Sequence, residues 1–141
     1  EGEIEIHVSA NSFSSSVLDM LESHLRSAPG SQYVGTERVR LRRLDSIAIP
    51  YLRSGSVILL KVDTQGYEDR VLDGAAAILP RIAGIQLELS LVPLYRGQEL
   101  LPEMIERLRQ LDFGLWAIWP AFVEPANGRL LQVDATFFRA Q

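Results

Sequence analysis

The alternation of hydrophobic and polar residues predicts the first elements of the chain. Glu3 to Val8 alternates strictly, as a half-buried strand does, with Ile4, Ile6 and Val8 expected to face inward. Ser14 to Ser16 offers hydroxyls suited to a helix start, and apolar residues then recur at helical spacing as far as Leu25. The stretch from Arg38 to Arg43 alternates again and predicts a second strand, and a short turn or helix is expected from Leu44.

The rest of the chain alternates between strand and helix patterns. Ser56 to Val62 is an almost continuous apolar run, which is typical of a parallel strand covered on both faces. The elements predicted after it are a helix from Glu68 to Leu79, a strand from Ile82 to Leu91, a helix from Gln98 to Leu111 and a strand from Phe113 to Trp119. Such alternation implies parallel strands joined by right-handed helical crossovers.

The C-terminal segment has a different pattern. Asn127-Gly128 is a signal for a two-residue hairpin loop, and Leu130 to Phe138 is rich in strand-forming residues. We therefore expect the final strand to return antiparallel beside the strand from Phe113 to Trp119. The predicted architecture is one α/β domain over residues 1–141, with parallel strands, helical crossovers and a C-terminal antiparallel hairpin.

Composition narrows the class of protein. Hydrophobic residues make up 47% of the 141 residues and charged residues 23%, as in ordinary globular domains. The apolar runs are far shorter than the ~20 residues of a membrane-spanning helix, so no membrane span is expected. The net charge of −4 does not favour nucleic acid or an anionic membrane as a partner. The absence of cysteine excludes disulfides, and the cytosol is the default compartment.

The arginines from Arg38 to Arg43 have two interpretations. They form either the solvated outer face of a strand or an anion-binding patch. We favour the outer face, because the remaining chain is acidic.

Candidate chemistry is concentrated where the predicted parallel strands end. Ligands of open α/β sheets bind beyond the carboxyl ends of the strands. Asp63 to Gln65 ends the first buried strand, Glu88 and Ser90 end the second, and Trp119 ends the third. We therefore expect Asp63 and Glu88 to project at one rim of the sheet.

Each of these charged residues also has a structural interpretation. Asp63 is suited equally to capping the following helix and to acting as a base or cation ligand. Glu88 should be half-buried, and a buried carboxylate needs a partner. Lys61 lies inside the apolar strand, where an ion pair with Asp63 or Glu88 is favoured over a catalytic role.

The histidines and tryptophans have mainly structural interpretations. His7 and His24 are expected to be solvated or structural, since neither has a ligand-type neighbour at metal-binding spacing. Trp116 and Trp119 are expected to pack in the core or at an edge, with a cation–π contact as the alternative. The sequence contains no metal motif, P-loop or G-x-S-x-G motif.

An ordered series of motifs resembles the FkbM methyltransferase family. Leu60 to Glu68, followed by Val71 to Ala75, is similar to the family's Lys-hydrophobic-Asp-x-x-Gly-x-Glu signature and the Val-Leu-x-Gly-Ala after it. The other matching segments are Ser14 to Ser16, Arg43 to Asp45, Ile85 to Glu88, Pro93 to Gln98, Gly128 to Leu130 and Val133 to Ala135. The resemblance is specific because it is long and keeps the family's order.

The resemblance implies a Rossmann-like class I methyltransferase that depends on S-adenosylmethionine and methylates a hydroxyl of a small-molecule or glycan acceptor. It implies that Asp63 and Gln65 lie near the methionine end of the cofactor and the acceptor, with Glu88 at the adjacent strand tip. Asp63 is then the candidate base, and Glu88 and Lys61 are further catalytic candidates.

One family feature is missing. The glycine-rich turn and the acidic residue that hold the cofactor should lie upstream of Glu1, and no segment here replaces them. We therefore expect this chain to be the C-terminal portion of a methyltransferase and not to bind the cofactor alone. Without the upstream strand, Ser56 to Val62 is expected to form an apolar edge of the sheet. The alternative is a non-catalytic α/β interaction module that self-associates through that edge. For this chain alone we expect a homo-oligomer.

Overall fold

The computed structural model describes residues 1–139, which form six strands and four α-helices. The strands are β1 (Gly2–Ser9), β2 (Tyr33–Leu41), β3 (Ile58–Val62), β4 (Ile82–Ser90), β5 (Phe113–Val123) and β6 (Leu130–Arg139). The helices are α1 (Glu22–Ser27), α2 (Leu44–Ala48), α3 (Glu68–Gly74) and α4 (Leu101–Gln110).

Strands β1 and β2 form a separate antiparallel ribbon. Glu3 lies opposite Arg40 and Glu5 opposite Arg38, so the arginines face glutamates across the strands. The Arg38 Nη1 atom lies 3.9 Å from the Glu3 Oε2 atom. The two predicted strands and the solvated face of Arg38 and Arg40 are confirmed, but β2 ends at Leu41, before Arg42 and Arg43. The glutamates offset much of the positive charge there.

The main sheet has the order β3-β4-β6-β5. Strand β3 is parallel to β4, whereas β6 is antiparallel to both β4 and β5. Strands β3, β4 and β5 therefore point the same way. The predicted α/β sheet with a final antiparallel strand beside β5 is confirmed. The insertion of β6 between β4 and β5 was not predicted.

The hydrophobic core lies on one face of this sheet. Leu87 of β4 and Phe137 of β6 are fully buried there with Leu72 of α3 and Leu108 of α4. Side chains alternate between the faces of a strand, so the intervening residues point to the opposite face. Both α3 and α4 cover the first face.

The expectation that Ser56 to Val62 is covered on both faces is wrong. Strand β3 begins only at Ile58, and Leu59 is 66% exposed. The reason is the one-sided packing of the helices, which leaves the face that carries Leu59 open. Among residues 1–139, β3 pairs only with β4 and so forms an edge of the sheet. The expected apolar edge is therefore present.

The helix expected after Ser14 to Ser16 does not begin there, because α1 starts at Glu22. The Ser16 hydroxyl accepts a hydrogen bond from the Leu18 backbone N–H at 3.0 Å. It also donates to the backbone carbonyl of Gln65 at 2.7 Å. Local hydroxyl-to-backbone bonds compete with helix formation, and here they hold the segment against the turn after β3.

Helix α3 is shorter than predicted, since it ends at Gly74 and not near Leu79. The Arg43 guanidinium donates to the carbonyl oxygen of Asp73 at 3.2 Å, and glycine weakens a helix interior. The buried residue Ala75 lies in the turn that follows.

The predicted final hairpin is present, but its loop is longer than two residues. The connection spans 124–129 and is closed by a hydrogen bond from Glu124 N–H to the Arg129 carbonyl at 2.8 Å. Gly128 has a φ of 75° within this turn, a conformation that glycine adopts at little cost.

Candidate functional site

The turn after β3 is built around a buried carboxylate. Glu68, in the first turn of α3, is only 4% exposed. Its Oε1 atom accepts hydrogen bonds from the Thr64 backbone N–H at 2.9 Å and from the Gly66 backbone N–H at 3.3 Å. Gln65 sits between them with a φ of 55°, a left-handed conformation that is uncommon outside glycine.

The Gln65 side chain joins the two predicted rim carboxylates. Its Nε2 atom donates to Asp63 Oδ1 at 2.9 Å and to Glu88 Oε2 at 2.7 Å. The expectation that Asp63 and Glu88 lie at one rim is confirmed. The capping interpretation of Asp63 is wrong, because α3 has no side-chain cap at its N-terminus and the Asp63 carboxylate turns to Gln65.

Glu88 has the half-buried position expected of it, and its partners are amides. A second amide, from Gln132 of β6, donates to the same Oε2 atom at 3.0 Å. Burial, followed by the negative charge of Asp63, raises the pKa of Glu88 to about 7, although the Gln65 hydrogen bond acts in the opposite direction. Such a carboxyl group changes its protonation state near neutral pH, as a general base must.

The carbonyl end of the Gln65 amide faces Tyr95. The Tyr95 hydroxyl donates to Gln65 Oε1 at 2.9 Å and lies 3.3 Å from the Nε2 atom of His24. Both Tyr95 and His24 are buried. Burial lowers the pKa of His24, so its imidazole is neutral around pH 7. His24 is structural, as predicted, and it also borders the site.

Tyr95 is held in place by the loop after β4. Gln98 Oε1 accepts the backbone N–H groups of Leu94 at 2.7 Å and Tyr95 at 2.6 Å, and Gln98 Nε2 donates to the Ser90 hydroxyl at 2.8 Å. This use of Gln98 explains why α4 begins at Leu101 and not at Gln98.

Lys61 does not join the site in the expected way. It is exposed on the open face of β3 and makes no ion pair with Asp63 or Glu88 in residues 1–139. The predicted ion pair is therefore wrong. The physical reason is that β3 lies at an edge, where water solvates the ammonium group.

The tryptophans lie outside the core. Trp119 is 54% exposed and lies within β5, not at its end. Its register partner is Asp134, which is also the register partner of Glu88 on the other side of β6. Trp116 contacts Phe138 edge to face at 5.7 Å. Edge packing is confirmed for Trp116, and core packing is wrong for both.

The rim carries uncompensated negative charge. Asp63, Glu88 and Asp134 make no ion pair within the described part of the chain. In residues 1–139 no group of His, Asp or Glu side chains is arranged to hold a metal ion. A rim of this kind suits a ligand with positively charged groups.

An open pocket of about 490 Å³ lies beyond the ends of β4 and β5. Its walls come from α1, the loop after β4 and the connection from β5 to β6. Arg26 and Arg129 line it together with Glu124, whose carboxylate accepts a hydrogen bond from the Ser27 hydroxyl.

The sequence model of the methyltransferase FkbM domain matches residues 1–115 of the 141-residue chain. The chain belongs to the FkbM methyltransferase family. No curated protein and no solved structure matched the chain in the other two comparisons.

The family match covers part of the site described above. Asp63, Gln65, Glu88 and Tyr95 lie within the matched residues, whereas Gln132 of β6 lies beyond them. The hairpin motifs Gly128 to Leu130 and Val133 to Ala135 also lie beyond the match, so only these motifs support the hairpin's resemblance to the family. In this FkbM methyltransferase, no helix within residues 1–139 is long and apolar enough to cross a membrane.

Proposed function

We propose that this FkbM methyltransferase catalyses S-adenosylmethionine-dependent O-methylation, with Glu88 as the base that accepts the proton of the hydroxyl group. The observation that carries the proposal is the environment of Glu88. Its carboxyl group has a pKa raised to about 7 by burial and by Asp63, and it lies at the carboxyl end of a parallel strand. Near neutral pH such a group is partly ionised and able to accept a proton.

The hydrogen bonds of Glu88 support this role. Both Gln65 and Gln132 donate to Oε2, and Oε1 has no hydrogen-bond partner within residues 1–139. The amides thus fix the carboxylate by one oxygen. The second oxygen is the one that we assign to the acceptor hydroxyl. Lys61 touches neither carboxylate, so it has no proton-transfer role in this proposal.

The charge of the rim fits the cofactor that the family implies. S-adenosylmethionine carries a positively charged sulfonium and an ammonium group, and the carboxylates of Asp63, Glu88 and Asp134 lack cationic partners within the described residues. Asp63 and Gln65 would hold its methionine end. The cofactor supplies an electrophilic methyl group, and the residues described here orient the acceptor and remove its proton.

We further propose that a segment preceding Glu1 completes the cofactor site. In residues 1–139 the edge of β3 is unpaired, and the face that carries Leu59 is open. Both features suit added strands and helices that would extend a Rossmann-like sheet and carry a glycine-rich turn. In this proposal the present chain is the C-terminal portion of the domain.

Titration calorimetry tests the cofactor assignment. A chain extended at its N-terminus by the sequence encoded upstream should bind S-adenosylmethionine, and the Asp63→Asn variant of that chain should bind it more weakly. A matched Asp112→Asn variant, changed in the turn between α4 and β5, should bind normally. If the extended chain shows no heat of binding, the proposal is wrong.

The acceptor is proposed to be a hydroxyl group of a small molecule or glycan. The pocket lined by Arg26 and Arg129 has a volume of about 490 Å³, and its lining residues include neither Glu88 nor Asp63. This volume lies within the range of small-molecule sites.

The exposed edge also favours the alternative of a non-catalytic α/β interaction module. Leu59 is 66% exposed and Val57 is 81% exposed. Both lie at the unpaired edge of β3, which could pair with a second copy of the chain. We propose that the 141-residue chain by itself forms a homo-oligomer through this edge. Light scattering should give a mass above that of one chain, and a strict monomer would contradict this proposal.

A further inference from the structure

The orientation of the Gln65 amide decides whether Glu88 receives a hydrogen bond from Gln65. A glutamine amide has an N–H₂ end and a carbonyl end of nearly the same shape. In this site the N–H₂ end faces Asp63 and Glu88, and the carbonyl end faces Tyr95. The reverse orientation would place a carbonyl oxygen against two carboxylates. It would also leave Glu88 with Gln132 as its only donor among the described residues.

Tyr95 contacts the carbonyl end of the Gln65 amide and so adds to the preference for the observed orientation, which the two carboxylates also favour. Its hydroxyl has three neighbours, which are Gln65 Oε1 at 2.9 Å, His24 Nε2 at 3.3 Å and the Ser14 carbonyl at 3.4 Å. Gln65 Oε1 is the nearest of the three, and the hydroxyl donates its proton to this atom.

The Tyr95 side chain is also enclosed by its neighbours. It is fully buried, and its ring packs at 5.2 Å from the ring of His24. Its backbone N–H is held by Gln98. A buried hydroxyl that donates to a neighbouring amide holds that amide, since rotation would leave a buried group without its partner.

We propose that Tyr95 is a positioning residue of this site, whose hydroxyl holds the Gln65 amide with its N–H₂ end toward Asp63 and Glu88. The proposal deepens the proposed methyl transfer, which supplies the role of Glu88, but the arrangement itself is tested without any cofactor. Tyr95 touches neither carboxylate and acts on Glu88 through Gln65.

The arrangement has a consequence for the titration of Glu88. The Gln65 hydrogen bond lowers the pKa of Glu88, against the effects of burial, Asp63, Asp134 and Glu68, which raise it. If Tyr95 loses its hydroxyl, Gln65 is free to turn away and its hydrogen bond to Glu88 weakens. The pKa of Glu88 then rises further. The titratable groups around Tyr95 itself are His24, Tyr33, Glu88 and Glu68.

The experiment follows the carboxyl carbon of Glu88 by NMR in the full 141-residue chain labelled with carbon-13 glutamate, with Glu88→Gln to assign the resonance. Tyr95→Phe should raise the pKa of Glu88 by about one unit, the size expected for weakening one hydrogen bond to a charged group. Tyr33→Phe is the matched control, because the Tyr33 hydroxyl donates to the Leu18 carbonyl at 2.7 Å and not to Gln65. It should leave that pKa unchanged.

A double variant tests whether Tyr95 acts through Gln65. Gln65→Met should itself raise the pKa of Glu88, and adding Tyr95→Phe to it should give no further rise. The proposal would be overturned if Tyr95→Phe raised the pKa of Glu88 equally in the wild type and in Gln65→Met. It would also be overturned if Tyr95→Phe and Tyr33→Phe changed that pKa equally.

The wild-type chain allows an independent test of the role of Tyr95, which remains possible if Tyr95→Phe does not fold. The Tyr95 hydroxyl proton should exchange slowly with water and show a nuclear Overhauser contact to the side chain of Gln65. A rapidly exchanging hydroxyl would contradict the proposal. Failure to bind S-adenosylmethionine would affect neither NMR result, so the two proposals fail separately.

Discussion

Replacing Glu88 by glutamine should stabilise the protein at alkaline pH while removing its proposed base. The folded state raises the pKa of Glu88 from its ordinary value of 4.5 to about 7, chiefly through burial. A carboxyl group with a raised pKa binds its proton more tightly in the folded state. Its ionisation therefore favours unfolding, and stability falls as the pH rises from the unfolded pKa to the folded pKa.

The size of this effect follows from the pKa shift. One pKa unit corresponds to about 1.4 kcal/mol, so the shift sets an upper limit of about 3.5 kcal/mol on the cost of the Glu88 charge. Because the side chain is only half-buried, solvent screening reduces the cost, and we expect about 1–3 kcal/mol. The cost is absent below pH 4.5, develops between pH 4.5 and 7, and is complete above pH 7.

The assay is urea unfolding of the wild type and Glu88→Gln at pH 4.5, 6 and 8. Glu88→Gln should gain stability relative to the wild type as the pH rises, by about 1–3 kcal/mol over this range. Glu37→Gln, a change at an exposed glutamate of β2, should show no such trend. A difference between Glu88→Gln and the wild type that is independent of pH, or that decreases with pH, would refute the reasoning.

Two further predictions concern the fold around the site. Leu87→Ala should destabilise the protein by about 2–5 kcal/mol in urea unfolding, because Leu87 is fully buried. Leu59→Ala on the open face should cost less than about 0.5 kcal/mol. Equal losses of stability in the two variants would mean that the open face is packed. Glu68→Ala should reduce the hydrogen-exchange protection of the Thr64 and Gly66 amides, which donate to its carboxylate, while Glu68→Gln keeps an acceptor and should retain most of it. Unchanged protection in Glu68→Ala would show that the turn does not depend on Glu68.

The strands were predicted well because their patterns are local. The alternation in β1 and β2 and the apolar residues of β4 each indicate a strand on their own, and the crossover rule then aligns β3 with β4. The position of Asp63 and Glu88 at one rim follows from that rule, so this part of the site was also predictable.

The errors have a common physical cause, which is that long-range contacts override local signals. Ser16 bonds to Gln65 across 49 residues and is used in a turn, not in a helix cap. The apolar neighbours of Lys61 predict a buried side chain, but β3 lies at an edge of the described sheet. The contributions of Tyr95 and Gln132 depend on tertiary packing and leave no periodic signal. In the sequence, Tyr95 is indicated only by the resemblance of Pro93 to Gln98 to the family's loop.

In the proposed reaction, Glu88 accepts the proton of a hydroxyl group as that group is methylated. The most direct test measures methyl transfer from S-adenosylmethionine to a panel of hydroxyl-bearing small molecules and glycans, using the N-terminally extended chain. The wild type should be active, and Glu88→Gln should bind the cofactor normally yet lose about 10²–10⁴-fold in kcat, the usual contribution of a general base. Full activity of Glu88→Gln would contradict the claim.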